Sequence, residues 1–102
     1  MIIDANESNF DSVIASGSVI VDFWATWCGP CQMQGKILEA NVAPQHPELT
    51  IAKVDIDSSL SLAERFGIMS IPAIRIFRDG KLVASFDGVT KADEIIAAAA
   101  AS

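Results

Sequence analysis

Cysteine is scarce in this sequence and histidine scarcer: there are two cysteines, Cys28 and Cys31, and a single histidine, His46. A tetrahedral zinc ion needs more ligands than these three, so no metal site is expected within one chain. A site shared between two copies stays open on this count. A disulfide between Cys28 and Cys31 would close a very short loop and add little chain-entropy stabilisation. Such cysteine use points to chemistry rather than scaffolding, and to a reducing compartment. Chemically idle thiols are the bland alternative. His46, between Pro44 and Pro47, reads as an exposed loop residue without function.

Basic residues are also few. Seven Lys and Arg face thirteen Asp and Glu, a formal net charge of −6. Binding to a phosphate backbone gains from clustered cations, so nucleic acid and anionic membranes are disfavoured as partners. Plain solubility accounts for the acidity. No apolar run approaches the ~20 residues of a membrane span. The segment Met1-Ile2-Ile3-Asp4-Ala5-Asn6-Glu7 has no basic stretch leading into an apolar core, so a secretory signal is not expected and the cytoplasm is. Linkers and internal repeats are missing too. With 51% of residues apolar, residues 1–102 suffice for one compact domain with its own core, expected to be a monomer.

What is present alternates between two periodicities. Ser8 with Asp11 reads as a cap and first turn for a helix from Asn9 to Ala15, stopped by Gly17. Val19–Ala25 and Leu49–Ile56 are short, β-branched and almost wholly apolar, as strands buried on both faces are. Pro30 suits the first turn of a helix running to about Val42, before Pro44 and Pro47. Ser58 or Ser59 can cap a helix over Leu60–Phe66, with Gly67 past its end. Ile74–Phe77 forms a strand, Asp79-Gly80 a hairpin turn and Lys81–Phe86 the return strand. Thr90 with Asp93 and Glu94 opens a last helix, which frays through the alanines 97–101. Met1–Asp4 adds a candidate edge strand. The order implies an α/β fold with a mixed sheet covered on both faces.

Cys28 and Cys31 sit where a strand passes into a helix. Two thiols at this spacing can close a reversible disulfide. Cys28, just before the helix, meets unpaired N–H groups and the positive end of the macrodipole, which favour a thiolate, the nucleophile of disulfide exchange. Cys31, one turn inside, is shielded and suits the resolving role. Pro30, after Gly29, limits the motif's flexibility. Asp22 is the one charge in its strand. Burial would raise its pKa, whereas a place at the strand end would leave it in water.

The stretch Asp22-Phe23-Trp24-Ala25-Thr26-Trp27-Cys28-Gly29-Pro30-Cys31 resembles the active-site segment of the thioredoxin family. The resemblance continues through Ala52-Lys53-Val54-Asp55-Ile56-Asp57, Phe66-Gly67-Ile68-Met69-Ser70-Ile71-Pro72, Phe77-Arg78-Asp79-Gly80 and Gly88, and spans essentially the whole chain. It implies a three-layer α/β/α fold with a mixed sheet of four to five strands between four helices. It also implies protein disulfides as substrates, no bound cofactor beyond the cysteine pair, and an electron-supplying thioredoxin reductase, NADPH-linked or ferredoxin-linked. Cys28 would attack and Cys31 resolve, giving thiol redox homeostasis and electrons for reductive enzymes. Asp22 would exchange a proton with Cys31 through water. Lys53, on the neighbouring strand, would pull the Asp22 pKa back down, or else snorkel to solvent. Ile71-Pro72 resembles the family's cis-proline segment, where the Ile71 backbone pairs with an extended substrate. Trp27, Gly29, Pro30, Ile56, Ile71, Pro72, Gly88 and Val89 would form the docking surface. Ordinary core packing is the alternative for Trp27 and the favoured reading for Trp24.

Three positions depart from the family pattern. Lys36, preceded by Gly35, stands where a helix-kinking proline is usual, so a straighter helix is expected. Gly35 costs that helix up to ~1 kcal/mol relative to alanine. Arg75 alternates with Ala73 and Phe77 in a buried strand, and needs a carboxylate partner or an escape to the sheet edge. Asp87, beside Gly88, should turn the docking surface toward basic or neutral substrates. Two other functions compete: a non-catalytic binding subunit using the same apolar surface, and an oxidase or isomerase of an oxidising compartment.

Overall fold

The computed structural model describes residues 1–100. In chain order it contains β1 (Ile2–Asp4), α1 (Phe10–Ile14), β2 (Ser18–Trp24), α2 (Gly29–Ile37), a π-helical segment (Leu38–Val42), β3 (Thr50–Asp55), α3 (Leu60–Arg65), β4 (Ala73–Arg78), β5 (Lys81–Asp87) and α4 (Ala92–Ala100). The five strands lie in the order β1-β3-β2-β4-β5. The β1–β3 and β3–β2 pairs are parallel, and β4 and β5 run antiparallel to their neighbours.

The central position of β2 explains its composition. Its inner five residues, Val19–Phe23, are all buried. A strand with neighbours on both sides and helices on both faces has no polar side to present. Alternate residues feed two separate cores. Val19, Val21 and Phe23 join Ala52, Val54, Ala73 and Phe77 beneath Phe10 and Ile14 of α1 and Leu62 of α3. Ile20 joins Ile51, Ile74 and Ile76 beneath Leu38 and Val42 of the π segment and Ile95 and Ala99 of α4. The outcome is the expected three-layer sandwich of four helices and a mixed sheet.

Several local expectations are corrected. The helix after Pro30 does not keep α geometry to Val42. Regular winding passes through Lys36 and ends at Ile37, after which the Ala43 N–H reaches back to the Leu38 carbonyl at 2.9 Å. Pro44 has no N–H to close a further α turn, so the last turn is free to widen. Ser8 does not cap α1. Asn9 holds the N-cap position, and the Asn6 carboxamide oxygen accepts from the Ser8 and Asn9 backbone N–H groups at 2.9 and 3.2 Å. Ser59 occupies the N-cap of α3 without a side-chain capping bond. Helix α4 begins at Ala92, because the Thr90 hydroxyl turns back to donate to the Gly88 carbonyl at 3.0 Å. Of the alanine run at the C-terminus, Ala101 lies outside the described residues.

Candidate active site

Cys28 is the N-cap of α2. Its extended backbone (φ −97°, ψ 107°) ends the loop from β2, and its Sγ accepts a hydrogen bond from the Cys31 N–H at 3.2 Å. A sulfur at an N-cap takes the place usually held by a serine or aspartate oxygen, so it receives an otherwise unpaired helix N–H. Pro30 fills the first turn, where its missing N–H costs nothing. Cys28 and Cys31 are joined as a disulfide, with Cα atoms 5.3 Å apart. Both are buried, Cys28 at 6% exposure and Cys31 at 2%. The pair packs against Ala25, Trp24, Ile56 and Ile71.

The Ile71–Pro72 bond is cis. The Ile71 carbonyl oxygen lies 3.9 Å from Cys28 Sγ. Since the β2–β4 ladder ends at the Phe23–Ala73 pair, the Ile71 backbone stands beyond the last rung. Gly88, at φ +82°, donates its N–H to the Pro72 carbonyl at 2.8 Å, which brings the segment after β5 to the same end of the sheet. A positive φ there suits glycine and little else. Val89, next in the chain, is 42% exposed.

Trp27 is 67% exposed, which excludes the core reading for it. Its indole Nε1 donates to Asp57 Oδ2 at 2.8 Å and thereby holds the ring over the loop after β3. Trp27, Ile56, Ile68, Met69, Ser70 and Ile71 line a groove of about 260 Å³. Met69, 95% exposed, sits on its rim. Ile68, Met69 and Ser70 were not singled out from the sequence, although their adjacency to Ile71-Pro72 was a usable signal. Trp24 is half-buried against the cysteines, in keeping with the packing role expected of it.

Asp22 is fully buried, and neither carboxylate oxygen has a hydrogen-bond partner among the described residues. Desolvation pushes its pKa from 3.8 up to about 6, and the opposing pull of the Lys53 charge is smaller. Lys53 Nζ stands 3.9 Å from Asp22 Oδ2 and 4.9 Å above the Trp24 ring. The lysine thus turns inward to the carboxylate instead of snorkelling out. Helix α2 passes close by: a Cβ built on Gly35 would lie 3.4 Å from that Nζ, at ordinary contact distance.

Arg75 finds the carboxylate its burial demanded. Its Nη1 donates to Asp87 Oδ1 at 3.0 Å, to the Ile74 carbonyl at 3.0 Å and to the Phe86 carbonyl at 3.3 Å. Asp87 is thus partly neutralised, although its side chain remains 64% exposed.

A disulfide seated at a helix N-cap, at the end of a central strand of a mixed sheet sandwiched by four helices, defines a thiol–disulfide oxidoreductase of the thioredoxin-like α/β class. A model of the family described as thioredoxin matches residues 1–101. The thioredoxin of Chlamydia muridarum is 47% identical over 91 residues, covering 89% of this chain and 88% of that protein. That of Chlamydia pneumoniae is 49% identical over 84 residues, with 82% and 81% covered. That of Staphylococcus saprophyticus is 45% identical over 82 residues, with 80% and 79% covered. The chain belongs to the thioredoxin family, whose members work without a bound cofactor on disulfide substrates and are recharged by a reductase.

Proposed function

We propose that the protein is a cytoplasmic, monomeric protein-disulfide reductase in which Cys28 is the nucleophile and Cys31 the resolving thiol. The observation that carries this reading is the seat of Cys28 Sγ at the N-cap of α2, accepting from the Cys31 N–H at 3.2 Å. In the dithiol state the same N–H and the helix dipole favour the Cys28 thiolate. That thiolate attacks one sulfur of a substrate disulfide, forming a Cys28–substrate bond and expelling the other substrate sulfur as a thiolate. Cys31 then gives up its proton and attacks Cys28 Sγ. The Cys28–Cys31 disulfide re-forms, and the second substrate sulfur leaves reduced. Two electrons have passed to the substrate, and a thioredoxin reductase, NADPH-linked or ferredoxin-linked, returns them. In this way the protein serves redox homeostasis and electron transport to reductive enzymes.

Asp22 takes the Cys31 proton through water. A carboxyl with a pKa of about 6 can both accept and return a proton near neutral pH, as an ordinary aspartate cannot. Lys53 keeps that value from climbing further. Trp27, Gly29, Pro30, Ile56, Ile71, Pro72, Gly88 and Val89 form the docking surface, with the free Ile71 backbone pairing to an extended substrate segment as an added strand. Asp87 beside this surface favours basic or neutral substrates.

Dithiothreitol-driven reduction of insulin tests the reading. Cys28→Ser is expected to abolish the protein-dependent rate, while Cys31→Ser traps a mixed disulfide visible by mass spectrometry. Equal turnover by the Cys28→Ser protein would defeat the assignment. A Cys28/Cys31 potential in the oxidising range would move the function from reductase to oxidase.

A further inference from the structure

Helix α2 carries a fully buried polar side chain that the exchange reaction does not use. Gln34 lies one turn after Cys31 and has no exposed surface. Its Oε1 accepts from the Thr90 N–H at 2.7 Å, and its Nε2 donates to the Thr90 carbonyl at 3.0 Å. The side chain thus meets both backbone groups of one residue, as a neighbouring strand would. Thr90 belongs to the short connection between β5 and α4 that also holds Gly88 and Val89. Two further bonds fix that connection: Gly88 N–H to the Pro72 carbonyl at 2.8 Å, and the Thr90 hydroxyl to the Gly88 carbonyl at 3.0 Å.

An amide is a poor choice for a core position unless both of its ends are bound, since an apolar side chain of similar size fills the space without a desolvation cost. Here the amide answers a need of the loop. Without it, the buried N–H and C=O of Thr90 lose their partner, and the connection must shift to reach water. The same helix begins at Cys28. Gln34 therefore sets the Gly88–Thr90 connection directly against the element that holds the nucleophile.

We infer that Gln34 is a positioning residue for substrate docking: its two bonds to Thr90 hold Gly88 and Val89 in a fixed place relative to Cys28, so that a protein substrate meets a pre-formed rim. This rests on the reading of Gly88 and Val89 as substrate contacts. A rim already ordered spares the complex the cost of ordering it, which lowers KM for protein substrates. A small disulfide, which needs only the sulfur, gains nothing from it.

The test compares insulin with Ellman's reagent as disulfide substrates for Gln34→Met, Gln34→Glu and Val89→Ser proteins. Gln34→Met keeps the volume and removes both bonds. It should raise KM for insulin about three- to tenfold, with kcat and the Ellman rate within about twofold of the parent. Gln34→Glu supplies an internal rescue. When protonated, its carboxyl can accept from the Thr90 N–H and donate to the Thr90 carbonyl. When ionised, it can only accept, and it faces the carbonyl with a negative charge. The ratio of its insulin KM to the parent's should therefore be near one while the carboxyl holds its proton and rise once it ionises, which burial shifts to higher pH. An insulin KM unchanged by Gln34→Met but raised by Val89→Ser overturns the inference and leaves the docking surface standing. Val89→Ser without effect on that KM removes the docking surface and the inference together. An equal loss on insulin and on Ellman's reagent marks a merely structural role and overturns it as well.

Discussion

Two buried charges interrupt the sheet on adjacent strands, one on each face, and they are treated in opposite ways. Arg75 points with Ala73 and Phe77 toward the phenylalanine-rich core under α1 and α3, and its guanidinium is bound by a carboxylate and two carbonyls. Asp22 points with Ile20 toward the opposite core, and among the described residues its oxygens meet only a lysine ammonium 3.9 Å away. A charge held by hydrogen bonds to a carboxylate and two carbonyls is anchored in place. A charge left without them keeps its proton at the edge of neutrality. The unsatisfied group is the one beside the cysteine helix, where the proposed reaction calls for a proton carrier.

Removing the Asp22 carboxyl has the largest expected effect on this contrast. The folded pKa of about 6 exceeds the ordinary value of 3.8, so the folded state binds the proton more tightly than the unfolded chain. Below about pH 4 the group is neutral in both states and costs nothing. Between about pH 4 and pH 6 the unfolded chain releases the proton and the folded chain does not, so stability falls as pH rises. Above this window the penalty stays constant at about 3 kcal/mol. Asp22→Asn should therefore be more stable than the parent by up to about 3 kcal/mol at pH 8, and equal to it near pH 4. Urea unfolding across that range checks it. A parent protein whose stability does not fall between pH 4 and pH 6 would place Asp22 in a better-satisfied site than the geometry gives. If Asp22 is the proposed acceptor of the Cys31 proton, insulin reduction by the same variant should slow at the resolving step.

Arg75 supplies the converse experiment. Asp87→Ala takes away its carboxylate and leaves two carbonyls. The expected cost is about 1–3 kcal/mol, tempered because Asp87 is largely exposed. Arg75→Leu removes the charge and its demand together, and should cost less than Asp87→Ala or stabilise the protein. Thermal unfolding of the two variants side by side decides the matter. If Arg75→Leu proves the more damaging, the guanidinium packs for more than its charge. Basic and acidic disulfide peptides, offered to the Asp87→Ala protein, report separately on the substrate preference assigned to Asp87.

Sequence made the contrast half legible. Asp22, Lys53 and Arg75 stand out because each breaks an apolar alternation, and a charge in a buried strand is conspicuous without coordinates. Their partners were less accessible. That Arg75 needs an acid follows from its burial; that Asp87 provides it depends on the β4–β5 register, which slips by a bulge at Ile76/Phe77. The bond from Gln34 to Thr90 spans 56 positions and that from Trp27 to Asp57 spans 30. Nothing in a single sequence marks a glutamine on a helix as buried, or an aspartate after a strand as an indole acceptor. Capping was misread for a related reason. Ser59 takes the expected N-cap of α3 without a side-chain bond, whereas Ser8 loses its place because Asn6 forms its own turn with the Ser8 and Asn9 backbone N–H groups. The π segment depends on the balance of turn geometry beside Pro44, which periodicity does not resolve.

Gly35→Ala gives the smallest effect and the finest probe of how Asp22 is held. Two terms oppose each other. Alanine favours a helix over glycine by up to about 1 kcal/mol. Its methyl, however, would sit 3.4 Å from Lys53 Nζ, at ordinary contact distance but across a face the ammonium now has to itself. Contact alone costs little. The methyl takes water from around Asp22 and Lys53, and the added desolvation lifts the Asp22 pKa. The variant should therefore gain less than the full propensity term near neutral pH. It should approach that term below about pH 4, where Asp22 is neutral in both states. Its stability curve would then fall over a wider pH range than the parent's, ending above pH 6. A uniform gain at every pH would mean that the methyl leaves the surroundings of Asp22 and Lys53 unchanged.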